Sequence, residues 1–188
     1  MTQEIPKDIT IKDLLMDFSP KMAKDMIEQT GKQAELADTE FSLVVDVEGE
    51  GTFAFVVKDG KEFNVSEGDL DNPLVRVSLS KVDMENMIAT NNLDMLLGIQ
   101  GDLSRNKYEL LQRLNGVMVA EIEDDDNVYT INAKFNGADD PTATFRLSAA
   151  DSSSLVRKET NPVNLFMSGA LKIEGDMAFA MSTQPLFT

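Results

Sequence analysis

The stretch that decides the fold runs Asn161-Pro-Val-Asn-Leu-Phe-Met-Ser-Gly-Ala-Leu-Lys-Ile-Glu-Gly-Asp-Met-Ala-Phe-Ala-Met181. Asn161 before Pro162 reads as a helix start: the Asn side chain accepts an orphan backbone N–H, and proline fits the first turn because its missing N–H is not needed there. Between Gly169 and Gly175 the apolar residues Leu171 and Ile173 stand two apart, so they share one face of a strand. Met177 and Met181 stand four apart and share one face of a helix.

Working outward, Leu147-Ser148-Ala-Ala-Asp151 is a strand end followed by a Ser-x-x-Asp capping box, and Leu79-Ser80-Lys-Val-Asp83 has the same form. Asn92-Leu93 corresponds to Asn161-Pro162 as a helix start. Gly98-Ile-Gln-Gly-Asp-Leu103 corresponds to Gly169 through Met177, but the earlier copy has fewer residues between its glycines, so its strand is short or absent. Strands over Val117–Ile122 and Val128–Phe135 open the later copy as Phe41–Val57 open the earlier. The reading is an internal pseudo-repeat: two strand-rich units, 41–115 and 116–188, behind a helical segment, 1–40. Arg113-Leu-Asn-Gly-Val-Met118 is too short and apolar for a tether, so 41–188 is expected to form one continuous body with the units related by a pseudo-twofold. The competing reading is that helix starts reuse few residues and recur without kinship.

Within the first segment, Thr10-Ile-Lys-Asp13 is a further capping box, with Leu14, Leu15 and Phe18 on the face of Ile11. Ser19-Pro20 predicts a fresh helix with Ser19 as N-cap, carrying Met22, Met26 and Ile27 on its apolar face and stopping at Gly31. The period then changes to two: Phe41, Leu43, Val45 and Val47, then Phe53, Phe55 and Val57. Asp59-Gly60 predicts a tight hairpin to Phe63 and Val65, and Val75, Val77 and Leu79 form another strand. These patterns predict an α+β fold, a mostly antiparallel sheet with helices covering its apolar face.

Composition narrows the function. The chain has 33 acidic and 17 basic residues, a net charge of -16, which argues against nucleic acid or anionic lipid surfaces as general partners. It has no Cys and no His, hence no thiol nucleophile, imidazole base or common transition-metal site. Glu123-Asp-Asp-Asp126-Asn127 lacks the glycine and distal Glu of a calcium loop and reads as a solvated turn. Gly49-Glu-Gly51 has no adjacent Lys or helix start, so it is no phosphate cradle. Ser152-Ser-Ser154 has no base beside it, and Arg157-Lys158 reads as a solvated pair. The expectation is a non-enzyme with no catalytic residues, no metal and no cofactor. The first residues show no leader pattern, and runs such as Phe53–Val57 are too short to span a bilayer, so a soluble cytoplasmic chain is expected.

The segment Phe166–Met181 resembles the end of sterol carrier protein 2 domains, where a helix closes at a Ser-Gly pair, a Leu-Lys-Ile-x-Gly strand follows, and Asp-Met opens a Met-rich helix. Phe145-Arg-Leu-Ser148 with Asp151 is similar to that family's strand-to-helix step, and residues 41–103, with Lys58-Asp-Gly-Lys61, resemble the same outline. The resemblance implies a five-stranded, mostly antiparallel sheet, covered by helices around an apolar tunnel for sterols, fatty acyl chains or other lipids. It implies a lipid-binding wall of Phe166, Met167, Leu171, Ile173, Met177, Phe179 and Met181 in the second unit, Phe179 fitting least because it is out of phase with Met177 and Met181. Eleven Met and ten Phe suit an adaptable wall, although a Met pair at helical spacing also reads as plain core. The chain departs from the family in its doubled pattern and in lacking a peroxisomal tripeptide at Leu186-Phe187-Thr188. The expected function is non-enzymatic binding or transfer of a lipid or similar apolar molecule. The alternatives are a ligand-free interaction or scaffold module, and an accessory subunit of a lipid- or quinone-modifying enzyme.

Overall fold

The computed structural model describes residues 5–188, apart from the side chains of Ile99 and Gln100. Met1–Glu4, part of the expected helical segment, lie outside the described residues.

The helical segment begins as expected and then departs. Thr10 caps α1 (Ile11–Asp13), its Oγ1 accepting the Asp13 N–H at 3.0 Å. Ser19 is not an N-cap, however: its backbone is helical, and α1 runs through a π-helical turn, Leu14–Phe18, directly into α2 (Ser19–Thr30). Pro20 has no N–H to return to the preceding turn, and the wider π turn just before it lets the helix pass through the proline instead of restarting there. Gly31, at φ +66°, ends α2 as the spacing predicts.

Eight strands follow: β1 (Glu40–Glu48), β2 (Gly51–Lys58), β3 (Glu62–Glu67), β4 (Val75–Ser80), β5 (Gly116–Asp124), β6 (Asn127–Phe135), β7 (Thr142–Ser148) and β8 (Lys172–Gly175). They form one sheet in the order β3-β2-β1-β4-β6-β5-β7-β8, not the five strands the resemblance implies. Neighbours are antiparallel except β1–β4 and β5–β7. Asp59 and Gly60 both have positive φ, and the Lys61 N–H closes their type I′ turn on the Lys58 carbonyl at 3.0 Å.

The runs β2-β1-β4 and β6-β5-β7 share lateral order and pairing sense, and β1 and β5 point the same way. The expected pseudo-twofold is therefore corrected. A twofold would reverse either strand direction or lateral order, whereas these sets follow one another along the sheet and meet where β4 pairs with β6.

The remaining helices are α3 (Lys81–Thr90), α4 (Asp94–Gly101), α5 (Arg105–Leu111), α6 (Ala149–Val156), α7 (Pro162–Ser168) and α8 (Met177–Thr183). Ser80, Ser148 and Asn161 cap α3, α6 and α7, each accepting the N–H three residues on. Asn92 is not a cap: Leu93 precedes α4, while the Asn92 amide donates to Asp124 at 2.6 Å. The helices pack on the sheet face that carries Phe41, Val45, Phe55, Val77, Met118, Ile131 and Phe145. The opposite face carries cross-strand ion pairs, including Arg76 with Asp46 at 2.8 Å and Arg146 with Glu174 at 3.2 Å.

Candidate functional site

The largest apolar hollow lies beneath α6, α7 and α8, with a volume of about 190 Å³. Its floor is the inward face of the sheet: Met118 and Ala120 of β5, Phe145 and Leu147 of β7, Ile173 of β8, and Leu171 just before β8. Alternation along each strand aims these side chains one way. Leu155 of α6, Pro162, Val163 and Phe166 of α7, and Met177, Ala180 and Met181 of α8 close it from above. Met95 of α4 and Phe187 complete the wall, and no lining residue is ionisable. Thr183 and Gln184 supply the lining's polar side chains. The Thr183 hydroxyl is committed to the Ala180 carbonyl at 2.7 Å.

Five of the seven residues expected at the wall, Phe166, Leu171, Ile173, Met177 and Met181, line this hollow. Met167 does not: it points outward and is 79% exposed. Phe179 does not either. It is buried on the other side of α8, its ring 6.4 Å from that of Phe135 and tilted 60° to it. In α8 the pocket positions are Met177, Ala180, Met181 and Thr183, and Phe179 falls between them. Met118, Ala120, Phe145 and Leu147 line the hollow beyond the expected wall, and period-two alternation is the signal that marks all four as inward-facing. Met95 and Leu155 carry no local signal of a shared cavity.

A second apolar hollow, about 60 Å³, lies under β1, β2 and β3 among Phe41, Phe55, Phe63 and Leu111. It has room for little more than a small group, since liquid water takes about 30 Å³ per molecule.

The strongest electrostatic feature stands apart from both linings. Asp102 receives Lys158 at 2.7 Å, Lys107 at 2.8 Å and Lys32 at 2.9 Å. Burial alone would raise the Asp102 carboxyl, but the hydrogen bonds from Lys107, Lys158 and Lys32 outweigh it and hold the group well below the usual carboxylate range. Burial pushes the Lys107 ammonium down, opposed by Asp102. Arg157 also has a carboxylate partner, Asp94 at 2.9 Å, so Arg157-Lys158 is not the merely solvated pair expected. The cluster ties the end of α2, the α4–α5 connection and the end of α6 together. Among the described residues no cluster of three or more acidic side chains could hold a metal, and no helix is long and apolar enough to cross a membrane.

The single sheet with helices packed on one face defines a mixed α+β protein. Residues 99–188 match the model of the SCP-2 sterol transfer family. The match takes in α5 and every strand and helix of the larger hollow except Met95 on α4. Similar solved structures include sterol carrier protein 2 like 2 from Aedes aegypti, at 14% identity over 56% of this chain and 96% of that one, with a TM-score of 0.36. Sterol carrier protein 2 from Yarrowia lipolytica in its apo form matches at 13% identity over 95% and 93%, with a TM-score of 0.26. No curated relative matches the chain at a significant level.

Proposed function

We propose that the chain binds a lipid or similar apolar molecule reversibly in the hollow beneath α6–α8, and performs no chemistry on it. The observation that carries this reading is the hollow's lining, apolar apart from Thr183 and Gln184 and, except for Met95, inside the segment that matches a sterol transfer family. Removing apolar surface from water would drive binding, at about 25 cal/mol per Å². Pockets for drug-sized ligands run about 300–1,000 Å³. A sterol or long acyl chain therefore fits the hollow only in part, with the remainder leaving between α7 and α8 or displacing methionine side chains, which are flexible enough to yield. Selectivity would be broad, since one methylene in such a site changes binding by only about 1–3 kcal/mol. Gln184, whose side-chain amide makes no hydrogen bond among the described residues, would orient a hydroxyl or carbonyl on the ligand.

Native mass spectrometry of the purified protein, followed by titration with fluorescent sterol and fatty-acid probes, tests this. The expected result is a co-purified or saturably bound lipid at one equivalent. No retained lipid and no saturable binding of either probe would overturn the reading.

A further inference from the structure

We propose that α7 and α8, around the mouth of the larger hollow, form a docking lip for the surface of an uncharged, zwitterionic lipid bilayer. The proposal rests on the lipid-binding reading for its purpose, but its observations are separate. Met167 is 79% exposed, and Val163, Phe166, Met177 and Met181 are between 43% and 52% exposed. All but Met167 also line the hollow, so the apolar surface runs unbroken from the outside of the protein into it. Contiguous exposed apolar surface of this kind marks a contact site rather than ordinary surface.

Charge selects the occupant. Of the chain's 17 basic and 33 acidic residues, 161–188 contain only Lys172, Glu174 and Asp176, and none lies within α7 or α8. Helices without a charged side chain, bordered by one cation and two anions at Lys172, Glu174 and Asp176, suit an uncharged surface, and the net charge of -16 on the whole chain opposes approach to an anionic one. The hydroxyls point the same way. Ser168 donates to the Leu165 carbonyl at 3.0 Å, Ser182 to Phe179 at 2.6 Å and Thr183 to Ala180 at 2.7 Å, each turned back onto its own helix. A protein partner would meet a polar rim with about one hydrogen bond per 100–200 Å². This lip keeps those three hydroxyls satisfied internally and, apart from the exposed Asn164 of α7, offers carbon and sulfur outward, as contact with acyl chains requires.

Vesicle flotation tests it with wild type, Met167→Glu and Met167→Lys. Met167 is outside the hollow's lining, so neither variant should alter probe binding in solution. Wild type should float with phosphatidylcholine vesicles, and both variants, whatever their sign, should lose about tenfold or more of that association. Adding phosphatidylglycerol should weaken wild-type flotation at low salt, and added salt should restore it. Variants that float like wild type, a wild type that stays in solution, or a preference for phosphatidylglycerol at low salt would each overturn the proposal. Intact flotation that depends on Met167 in a protein that binds no probe would retain the lip and remove the lipid-binding reading. Probe binding without flotation would do the reverse.

Discussion

Lys107 Nζ stands 2.8 Å from Asp102 Oδ2, with a lysine side chain only 9% exposed, and the same carboxylate also holds Lys32 and Lys158. Three cations thus depend on one anion for three separate parts of the chain to meet. Asp102→Asn leaves them facing one another, and should cost about 2–4 kcal/mol at neutral pH, toward the low end because Lys32 and Lys158 reach solvent. The Asp102 carboxyl is held below its unfolded value, near 3.9. Its contribution is therefore complete above that value and is lost as pH falls through the lower folded one. Urea midpoints of wild type and Asp102→Asn should differ at neutral pH and converge in acid. A constant gap across that range would contradict this linkage.

Gly98 on α4 faces Val156 on α6 so closely that a Cβ at residue 98 would lie 2.2 Å from Val156 Cγ1. Gly98→Ala should improve helix propensity by about 1 kcal/mol, yet the branched and stiff valine cannot step aside. The net loss is expected at about 1–3 kcal/mol. Val156→Ala in the same chain should restore part of it, and a double-mutant cycle by denaturant unfolding reads the coupling directly.

Phe179 separates core from candidate site. Gly116 lies under its ring at φ +136°, and a Cβ there would approach Phe179 Cε2 to 2.8 Å and the Pro141 carbonyl oxygen to 2.4 Å. Phe179→Ala should cost about 3–5 kcal/mol in thermal or urea unfolding, as a buried aromatic does. The fraction that remains folded should bind fluorescent lipid as wild type does, because the ring faces away from the hollow.

Much of this architecture is written in local pattern. The capping serines Ser80 and Ser148, the Asp59-Gly60 turn and the alternation in β1, β2 and β4 each act within a few residues, where side-chain chemistry decides the backbone. The errors arise where the deciding partner is distant. Asn92 has a cap's chemistry but spends its amide on Asp124, thirty-two residues away. The Asp102 cluster joins lysines from three parts of the chain and leaves no periodic trace. The five wall residues on α7, α8 and in or just before β8 come from the family resemblance of one contiguous stretch, Phe166–Met181. Met95 lies outside that stretch, and only the packing of α4 beside α6 brings it there.

Within α8, Met177 and Met181 line the hollow but are also about half exposed, so they behave unlike core methionines. Met177→Ala with Met181→Ala should cost about 1 kcal/mol each or less, below the roughly 2–5 kcal/mol of a fully buried site. The same change should weaken long-chain probe binding by widening the mouth. Unchanged affinity in the folded double variant would place the ligand elsewhere.

Ala120 gives the opposite perturbation. It is 3% exposed on β5 and forms part of the floor between Met118 and the β7 side chains Phe145 and Leu147, beneath open volume rather than against packed atoms. Ala120→Phe should project an aromatic ring into the hollow and occupy much of its roughly 190 Å³. Enlarging a residue in a filled core costs about 1–3 kcal/mol, and here the cost should fall at or below the low end because the ring enters space already present. Folding would then be retained while saturable binding of sterol and fatty-acid probes is lost. Calorimetric unfolding and probe titration on one preparation make the comparison. A stable Ala120→Phe protein that binds probe with wild-type affinity would show that the floor of this hollow takes no part in holding the ligand.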